Sequence, residues 1–465
     1  MPQILPVPNP TPSYWLSEPH KHSKLHSTAD LPSECDIAII GSGMSGIVTA
    51  YHILQESDSA NLPNVVILEA RDLCSGATAR NGGHSKIKIN TLTGWLGKID
   101  PEGIKEAIEY VHRIASGLKR IVEEEELNCE FEIRRTMDVF LDADEAEAVR
   151  SLYEKSRKAG EEWAKRFHWV PTEHIEQVTS IKGAVAAASS PVASFWPYKF
   201  VTQLLARMVE RYPAPTLNAQ TNTPVTSVVV VDGLNVLTTP RGVLKAKKVV
   251  FATNAYTAGL LPQFKDVIVP VRGTASHITP SHPIHPHLST TYNLNHGPEK
   301  SVDYLNPRPD SSIVVGGAGH LFRSNRALWF DNFDDSTHLP PVVDAYWTDY
   351  MQRNFLGWED SGAETESVWT GIMGVTPDGW AHVGRVPGSE KQWICAGFNG
   401  GGMATILTAA RGVARMASRD LGFEEVRGEC GLLGVMGTGW DRLTRAVEGS
   451  KEERKGDCSP GETRS

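Results

Sequence analysis

Three glycines and one carboxylate are the residues whose types and spacing most plainly allow chemistry. Gly41, Gly43 and Gly46 stand in Asp36-Ile37-Ala38-Ile39-Ile40-Gly41-Ser42-Gly43-Met44-Ser45-Gly46, and Glu69 ends the apolar run Asn64-Val65-Val66-Ile67-Leu68. The chemistry is the holding of a dinucleotide. In a G-x-G-x-x-G turn the first glycine makes the bend, the second lets backbone approach a pyrophosphate, and the third lets helix pack on strand. The helix that follows offers unpaired N–H groups and its positive dipole end to the diphosphate. Glu69 stands where a carboxylate accepts hydrogen bonds from a ribose hydroxyl. A second glycine turn, Asn399-Gly400-Gly401-Gly402-Met403, lies near the far end of the chain.

The elements that must position these residues are legible from pattern. Short apolar runs bounded by turn residues read as buried parallel strands. The first strand–helix–strand unit covers roughly 35–70. Residues 248–255 form a third buried strand that ends in small and polar residues. Residues 392–398 form a strand before the second glycine turn, and 404–416 read as a helix. Asp100-Pro101-Glu102 marks a helix start, followed by helical spacing from Ile104 to Leu127. A further helix is expected from Asp144 to Phe167, and an amphipathic one from Phe195-Trp196-Pro197 to Glu210. Val225–Val231 and Leu234–Thr238 flank Asp232-Gly233, a hairpin with a primed-turn signal. Residues 266–368 alternate strand-like runs with loops rich in Pro and His, which suits an antiparallel sheet.

The expected fold is α/β. A discontinuous Rossmann-like FAD-binding domain of the glutathione-reductase type joins an α+β substrate domain with an antiparallel sheet. The first comprises 34–100, 195–265 and 369–446; the second comprises 101–194 and 266–368. An N-terminal arm, 1–33, packs through Tyr14, Trp15 and Leu16, and a disordered tail occupies 447–465. FAD follows from the split. A nicotinamide enzyme keeps its nucleotide fold in one block, whereas here a strand–glycine–helix unit recurs at the far end. One long cofactor crossing the domain would set its diphosphate on the first turn and its ring on the last. A helix N-terminus at Gly400–Met403 would face the flavin pyrimidine oxygens, which turn negative on reduction, and so favour hydride acceptance.

Composition narrows the class. The 465 residues carry 46 Lys and Arg against 55 Asp and Glu, a net charge of −9, with 40% apolar and 22% charged residues. That is an ordinary globular composition without the basic face of a nucleic-acid binder. No run of about 18 apolar residues suggests a membrane span. The Pro- and His-rich N-terminus lacks the apolar core of a signal peptide. Cys35, Cys74, Cys129, Cys395, Cys430 and Cys458 form no CxxC pair, so zinc and dithiol chemistry are not expected and a reducing, cytoplasmic setting is. Glu123–Glu126 reads as a solvated helix face. His277, His282, His285 and His287 are too irregularly spaced for a metal site, and no metal is expected.

Together the motifs resemble one family. Leu68-Glu69-Ala70-Arg71 with Cys74-Ser75-Gly76-Ala77-Thr78-Ala79-Arg80-Asn81-Gly82-Gly83-His84 resembles the second motif of the D-amino-acid oxidase (DAO) superfamily of flavoproteins. Ala252 to Thr257, Asp303-Tyr304-Leu305, Arg308-Pro309, Gly316-Gly317, Thr376-Pro377-Asp378-Gly379 and Ala396 to Met403 continue the likeness in order. Within the superfamily the chain is most similar to the sarcosine, glycine and gamma-glutamylputrescine oxidase group and its fungal members.

The resemblance implies roles. Gly41, Ser42, Gly43 and Ser45 would hold the diphosphate, with Gly46 behind them, and Glu69 and Ala70 the ribose region. Thr78, Arg80, Asn81 and Gly82 would lie along the diphosphate and flavin face, and Val225 would meet the adenine. Thr253 and Asn254 would pack near the dinucleotide, and Gly400, Gly401, Gly402 and Met403 would cap the pyrimidine edge. Two departures matter. Gly401 stands where many relatives carry His. Gly371-Ile372-Met373-Gly374-Val375 lacks the Cys through which sarcosine-oxidase-like enzymes attach FAD, so the cofactor is expected to be non-covalent.

The implied reaction is hydride transfer from substrate Cα–H to flavin N5. Imine hydrolysis and reoxidation by O2 to H2O2 follow. The implied partners are a small-molecule amine or amino acid and O2. Candidate pocket residues are His84, Tyr304, Arg308 and Trp369, with Arg308 as a carboxylate clamp and Trp369 as a wall. His320 stands at the end of the substrate sheet, and Lys265 or Lys199 are candidates for oxygen activation. A dehydrogenase of the same fold, an oxidative tailoring enzyme acting on another bond, and a flavin-binding protein without turnover stay open as alternatives.

Overall fold

The structure, a computed structural model, describes residues 5–96, 101–285, 287–298 and 300–456. Glu34–Ile40 lies at the middle of the first sheet. Its order is His382–Arg385, Gln392–Ala396, Gly242–Phe251, Glu34–Ile40, Val65–Leu68 and Leu217–Gln220. All neighbours are parallel except the edge strand His382–Arg385. Ile37 and Ile39 enter one core and Ala38 and Ile40 the other. Burial on both faces is why the run is continuously apolar rather than alternating. The register sets Ile40 beside Leu68 and Phe251, and Phe251 beside Ile394. Four strand ends therefore meet along one edge, where open parallel sheets bind ligands.

The hairpin Ser227–Val231 and Leu234–Thr239 adds to Gly242–Phe251. Its turn residues Asp232 and Gly233 both have positive φ, +50° and +77°, as a primed turn requires. Helix Met44–Gln55 follows the first strand and packs on helix Ile406–Arg419 from the far end of the chain.

The second sheet runs Glu364–Val375, Val269–Thr279, Ile313–Gly317, Val302–Pro307, Thr291–Asn295, Glu132–Phe140, Ala186–Ser194 and His84–Ser85. It is antiparallel apart from the pairing of Thr291–Asn295 with Glu132–Phe140. Residue 369 falls inside Glu364–Val375, which pairs along its length with Val269–Thr279. His84–Ser85, from within 34–100, also joins this sheet. The chain thus passes between the two sheets inside single motifs.

Three expectations need correction. The helix expected over 144–167 is two, Ala143–Lys158 and Glu162–Arg166, because Gly160 adopts φ +79° between them. The helix after the second glycine turn begins at Ile406, preceded by a 3-10 turn, Gly402–Ala404. The tail is helical through Gly456 as the end of Trp440–Gly456, while 457–465 lie outside the described residues. The arm does pack on the body. Trp15, in the 3-10 turn Tyr14–Leu16, has no exposed surface.

Candidate functional site

A cavity of about 820 Å3 opens at the shared strand ends of the first sheet and extends beneath the second. Its dinucleotide end is built by close approach. Gly41 has φ +107°, and a Cβ there would come 2.5 Å from the Ala252 carbonyl oxygen. A Cβ on Gly46 would lie 1.9 Å from the Gly41 oxygen. Helix Met44–Gln55 therefore rests directly on the turn. Its N-cap, Gly43, has no side chain to satisfy the helix amides; Thr78 Oγ1 accepts from Met44 N at 3.0 Å. Glu69 Oε2 accepts from Ser42 N at 3.0 Å and Ser42 Oγ at 2.6 Å, and Oε1 from Arg71 N at 2.9 Å.

Gly41, Gly43, Ser45, Glu69, Ala70 and Thr78 line this end. Ser42 and Gly46 are buried behind it. Arg80, Asn81, Gly82, Val225, Thr253 and Asn254 continue the wall, and Gly400, Gly401, Gly402 and Met403 close it. Arg80 is buried, donating from Nε to the Ser75 carbonyl at 3.0 Å and from Nη1 to Thr370 O at 2.8 Å. Its Nη2 has no partner in the protein. Burial lowers its pKa to about 10, against the attraction of Asp335. Asn254 Oδ1 accepts from Gly397 N at 3.1 Å and Phe398 N at 3.2 Å. That bond ties the end of the third strand to the final glycine turn.

These features fit FAD. Gly41 and Gly46 admit no Cβ within the turn, the N-terminus of Met44–Gln55 lacks a side-chain cap from its own N-cap residue and has the Thr78 hydroxyl on its first amide alone, and the buried Arg80 of the same cavity wall keeps a donor without a protein partner. A second glycine turn lies in the same cavity at the other end.

His84 and Tyr304 line the cavity together. Their rings meet edge to face at 5.6 Å. Tyr304 lies across Gly316 and Gly82, where a Cβ would come within 2.1 and 2.7 Å of it. Burial pushes the Tyr304 hydroxyl up to about 12 and holds His84 well below its usual value, with Lys86 adding to the effect. Both groups are therefore neutral near pH 7.

Arg308 and Trp369 stand away from this cavity. Arg308 pairs with Glu130 and lies 5.1 Å over the Trp15 ring. Trp369 is fully buried behind Arg80 and donates from Nε1 to the Arg80 carbonyl at 3.0 Å. Lys199 pairs with Glu18 at 2.9 Å over the Trp196 ring, and Lys265 is exposed away from the cavity. His320 Nδ1 lies 3.5 Å from Ser301 Oγ at the end of the second sheet. Among the described residues no group of three His, Cys, Asp or Glu could hold a metal ion, and no helix is long and apolar enough to cross a membrane.

Sequence reasoning missed Lys86, Lys88, Asn293, Lys300 and Arg323, all of which line the cavity. One signal was present. His84, Lys86 and Lys88 alternate through an extended segment, which turns alternate side chains to one side. Lys86 Nζ donates to Thr136 Oγ1 at 3.1 Å and to the Tyr292 carbonyl at 3.0 Å. Burial lowers its pKa to about 7. The buried Asp138 beside it accepts from Ile89 N at 2.8 Å and from Asn293 Nδ2. Burial nonetheless raises its pKa above the usual carboxylate value.

Comparison with known proteins agrees with this geometry. Residues 36–416 match the family model described as FAD dependent oxidoreductase, DAO. Glycine oxidase from Bacillus cereus superimposes with a TM-score of 0.65 at 16% identity, covering 83% of this chain and 96% of that one. L-proline dehydrogenase from P. horikoshii also gives 0.65, at 18% identity, covering 87% and 100%. A putative Rieske 2Fe-2S iron-sulfur protein of Bacillus subtilis is 24% identical over 209 residues, 40% of this chain. The chain spans only 36% of that relative's length. The family match runs through both sheets and takes in both glycine turns at the ends of one cavity, and so the chain belongs to the DAO family of FAD-dependent oxidoreductases.

Proposed function

We propose that this enzyme oxidises a C–N bond of an amine or amino acid. When bound, FAD would supply two-electron chemistry, acceptance of a hydride from the carbon beside nitrogen and return of the electron pair to O2 as H2O2. The imine left on the substrate hydrolyses in water.

The chain's own residues bind and orient. Gly41, Gly43, Ser45 and the N-terminus of Met44–Gln55 would hold the diphosphate, and Glu69, braced by Ser42, would hold the ribose with Ala70. Thr78, Arg80, Asn81 and Gly82 would carry the cofactor toward its ring. Val225 would meet the adenine, Thr253 and Asn254 would pack beside the dinucleotide, and Gly400 to Met403 would border the pyrimidine edge. His84 and Tyr304 border the substrate space as neutral groups, so they orient and exclude water rather than move a proton. Most of the rate then comes from orientation over the cofactor. The described cysteines are all buried, and none lies in 371–375, which supports dissociable FAD.

The observation that carries this reading is one cavity joining the diphosphate turn, the last glycine turn and the His84–Tyr304 wall. Superposition on proteins named for glycine and L-proline supports an amino-acid substrate. The test is the visible spectrum of purified protein mixed anaerobically with a panel of amino acids and secondary amines. A yellow protein bleached by one class is the expected result. A yellow protein bleached by none overturns the proposal. Peroxide release on readmitting air separates an oxidase from a dehydrogenase.

A further inference from the structure

The charge lining the cavity is lopsided. Arg71, Arg80, Lys86, Lys88, Arg272, Lys300 and Arg323 face it, against Glu69 as the one carboxylate among its described lining residues. This occurs on a chain whose net charge is −9.

Part of the excess is accounted for. Arg71 makes a two-pronged pair with the buried Asp335 at 2.9 and 3.0 Å, and Arg80 lies 3.7 Å from the same carboxylate. Arg272 is wrapped by the carbonyls of Leu328, Thr337 and His338.

Lys86, Lys88, Lys300 and Arg323 remain. None forms an ion pair with a described carboxylate; Lys86 and Lys88 are half-buried, and Lys300 and Arg323 are exposed residues of the cavity lining. All four come from three segments of the second-sheet side and converge on one space. Ser301, next to Lys300, and Arg323 Nε are the nearest neighbours of a Cβ placed on Gly319, and Arg323 lies within electrostatic reach of Lys88. The buried Asp138 and the half-buried Glu145 are the acids near the lysines; Ile89 and Asn293 donate to the first and Asn90 to the second. A cavity lined by cations from several segments and a single carboxylate focuses a positive potential that draws an anion into it. Charge-assisted contacts of this kind are the strong ones.

The strand His84–Ser85 contacts the turn Gly402–Ala404. Lys88, four residues on, is reached by a stretch that spans up to about 13 Å when extended.

We propose that Lys88, Lys300 and Arg323 receive an anionic group of the substrate, a carboxylate or phosphate remote from the carbon that is oxidised. The substrate is then an acidic amine or amino acid with negative charge at its far end. This inference rests on the amine-oxidoreductase reading above.

The test uses the flavin-loaded enzyme titrated with glutarate and, separately, with inorganic phosphate, followed by calorimetry and by the flavin absorbance band. Saturable binding of one or both is expected. Lys88→Met and Arg323→Met should each weaken it tenfold or more, at unchanged flavin content. Tighter glutarate binding identifies a carboxylate, and tighter phosphate binding a phosphate ester. Anaerobic flavin reduction by glutamate should half-saturate at least tenfold lower than by norvaline, and Arg323→Met should erase the difference. Failure of the wild type to bind either anion overturns the proposal. So does equal affinity in the two variants. If norvaline reduces the flavin as readily as glutamate, the anion site is wrong and the amine reading stands. If no amine reduces it, that reading falls, and the titrations still decide the anion site.

Discussion

Single residues set the terms of this site. Gly46 is a packing requirement before it is a binding one, because a methyl there would meet the Gly41 oxygen at 1.9 Å. Gly46→Ala is expected to lift the helix from the turn and lose most bound flavin, read as a several-fold drop in the ratio of absorbance at 450 nm to that at 280 nm (the ~450 nm flavin band). Lys86 makes a pH prediction. Burial lowers its pKa to about 7, with Lys88 adding repulsion, Asp138 opposing the shift and neutral His84 beside it. The unfolded value is about 10.4, so the unfolded chain binds more protons between the two. Stability from this residue is therefore present above about pH 10 and is lost as pH falls through about 7. Charging the lysine strengthens anion binding. Glutarate affinity should rise as pH falls through about 7, and Lys86→Met should flatten that profile in calorimetry. At this scale the sequence was half legible. Gly41 and Glu69 stood out because their geometry is local and Thr78 through the family likeness, whereas the pairing of Arg308 with Glu130, far apart in the chain, was not visible.

Elements from opposite ends of the chain are held together by one acid. Glu56, just past helix Met44–Gln55, receives Arg411 Nε at 2.8 Å and Arg415 Nε at 2.5 Å from helix Ile406–Arg419, and lies 3.4 Å from His52. Burial opposes its ionisation, yet these hydrogen bonds hold its carboxyl well below the usual range. Its contribution to stability is full above about pH 5 and is lost as pH falls below that. Glu56→Gln is expected to cost about 2 kcal/mol in urea unfolding at neutral pH. Flavin affinity should fall with it, because the two helices carry the two glycine turns. The strand runs and glycine turns were legible because buried parallel strands are continuously apolar. The break at Gly160 was not, since a lone glycine in a charged helix pattern is compatible with either outcome.

At the scale of the molecule, the N-terminal arm ties the two sheets into one site. Trp15 donates from Nε1 to the Asn81 carbonyl at 2.6 Å, and its own carbonyl accepts from Trp196 Nε1 at 2.8 Å. Its ring fills the space where a Cβ on Gly83 would otherwise sit, 2.4 Å away. Thr11 Oγ1 accepts from Thr370 N at 2.9 Å, so the same arm reaches the strand behind Arg80. Trp15→Ala should cost about 3–5 kcal/mol in thermal or denaturant unfolding. It should also loosen flavin, because Asn81 to Gly83 lose their backing. By itself the sequence determined the first strand–glycine–helix turn, its recurrence near the far end of the chain, and an α/β fold joined to a second, largely antiparallel sheet. Each depends on local backbone demands or on periodicity that a single segment declares. Only the tertiary structure decided which side chains line the cavity. It turned Arg308 and Trp369 away, set His84 against Tyr304, and gathered Lys86, Lys88, Lys300 and Arg323 around one space. Those lysines and that arginine look like ordinary surface charge in the sequence, because whether a cation has a partner depends on residues far along the chain.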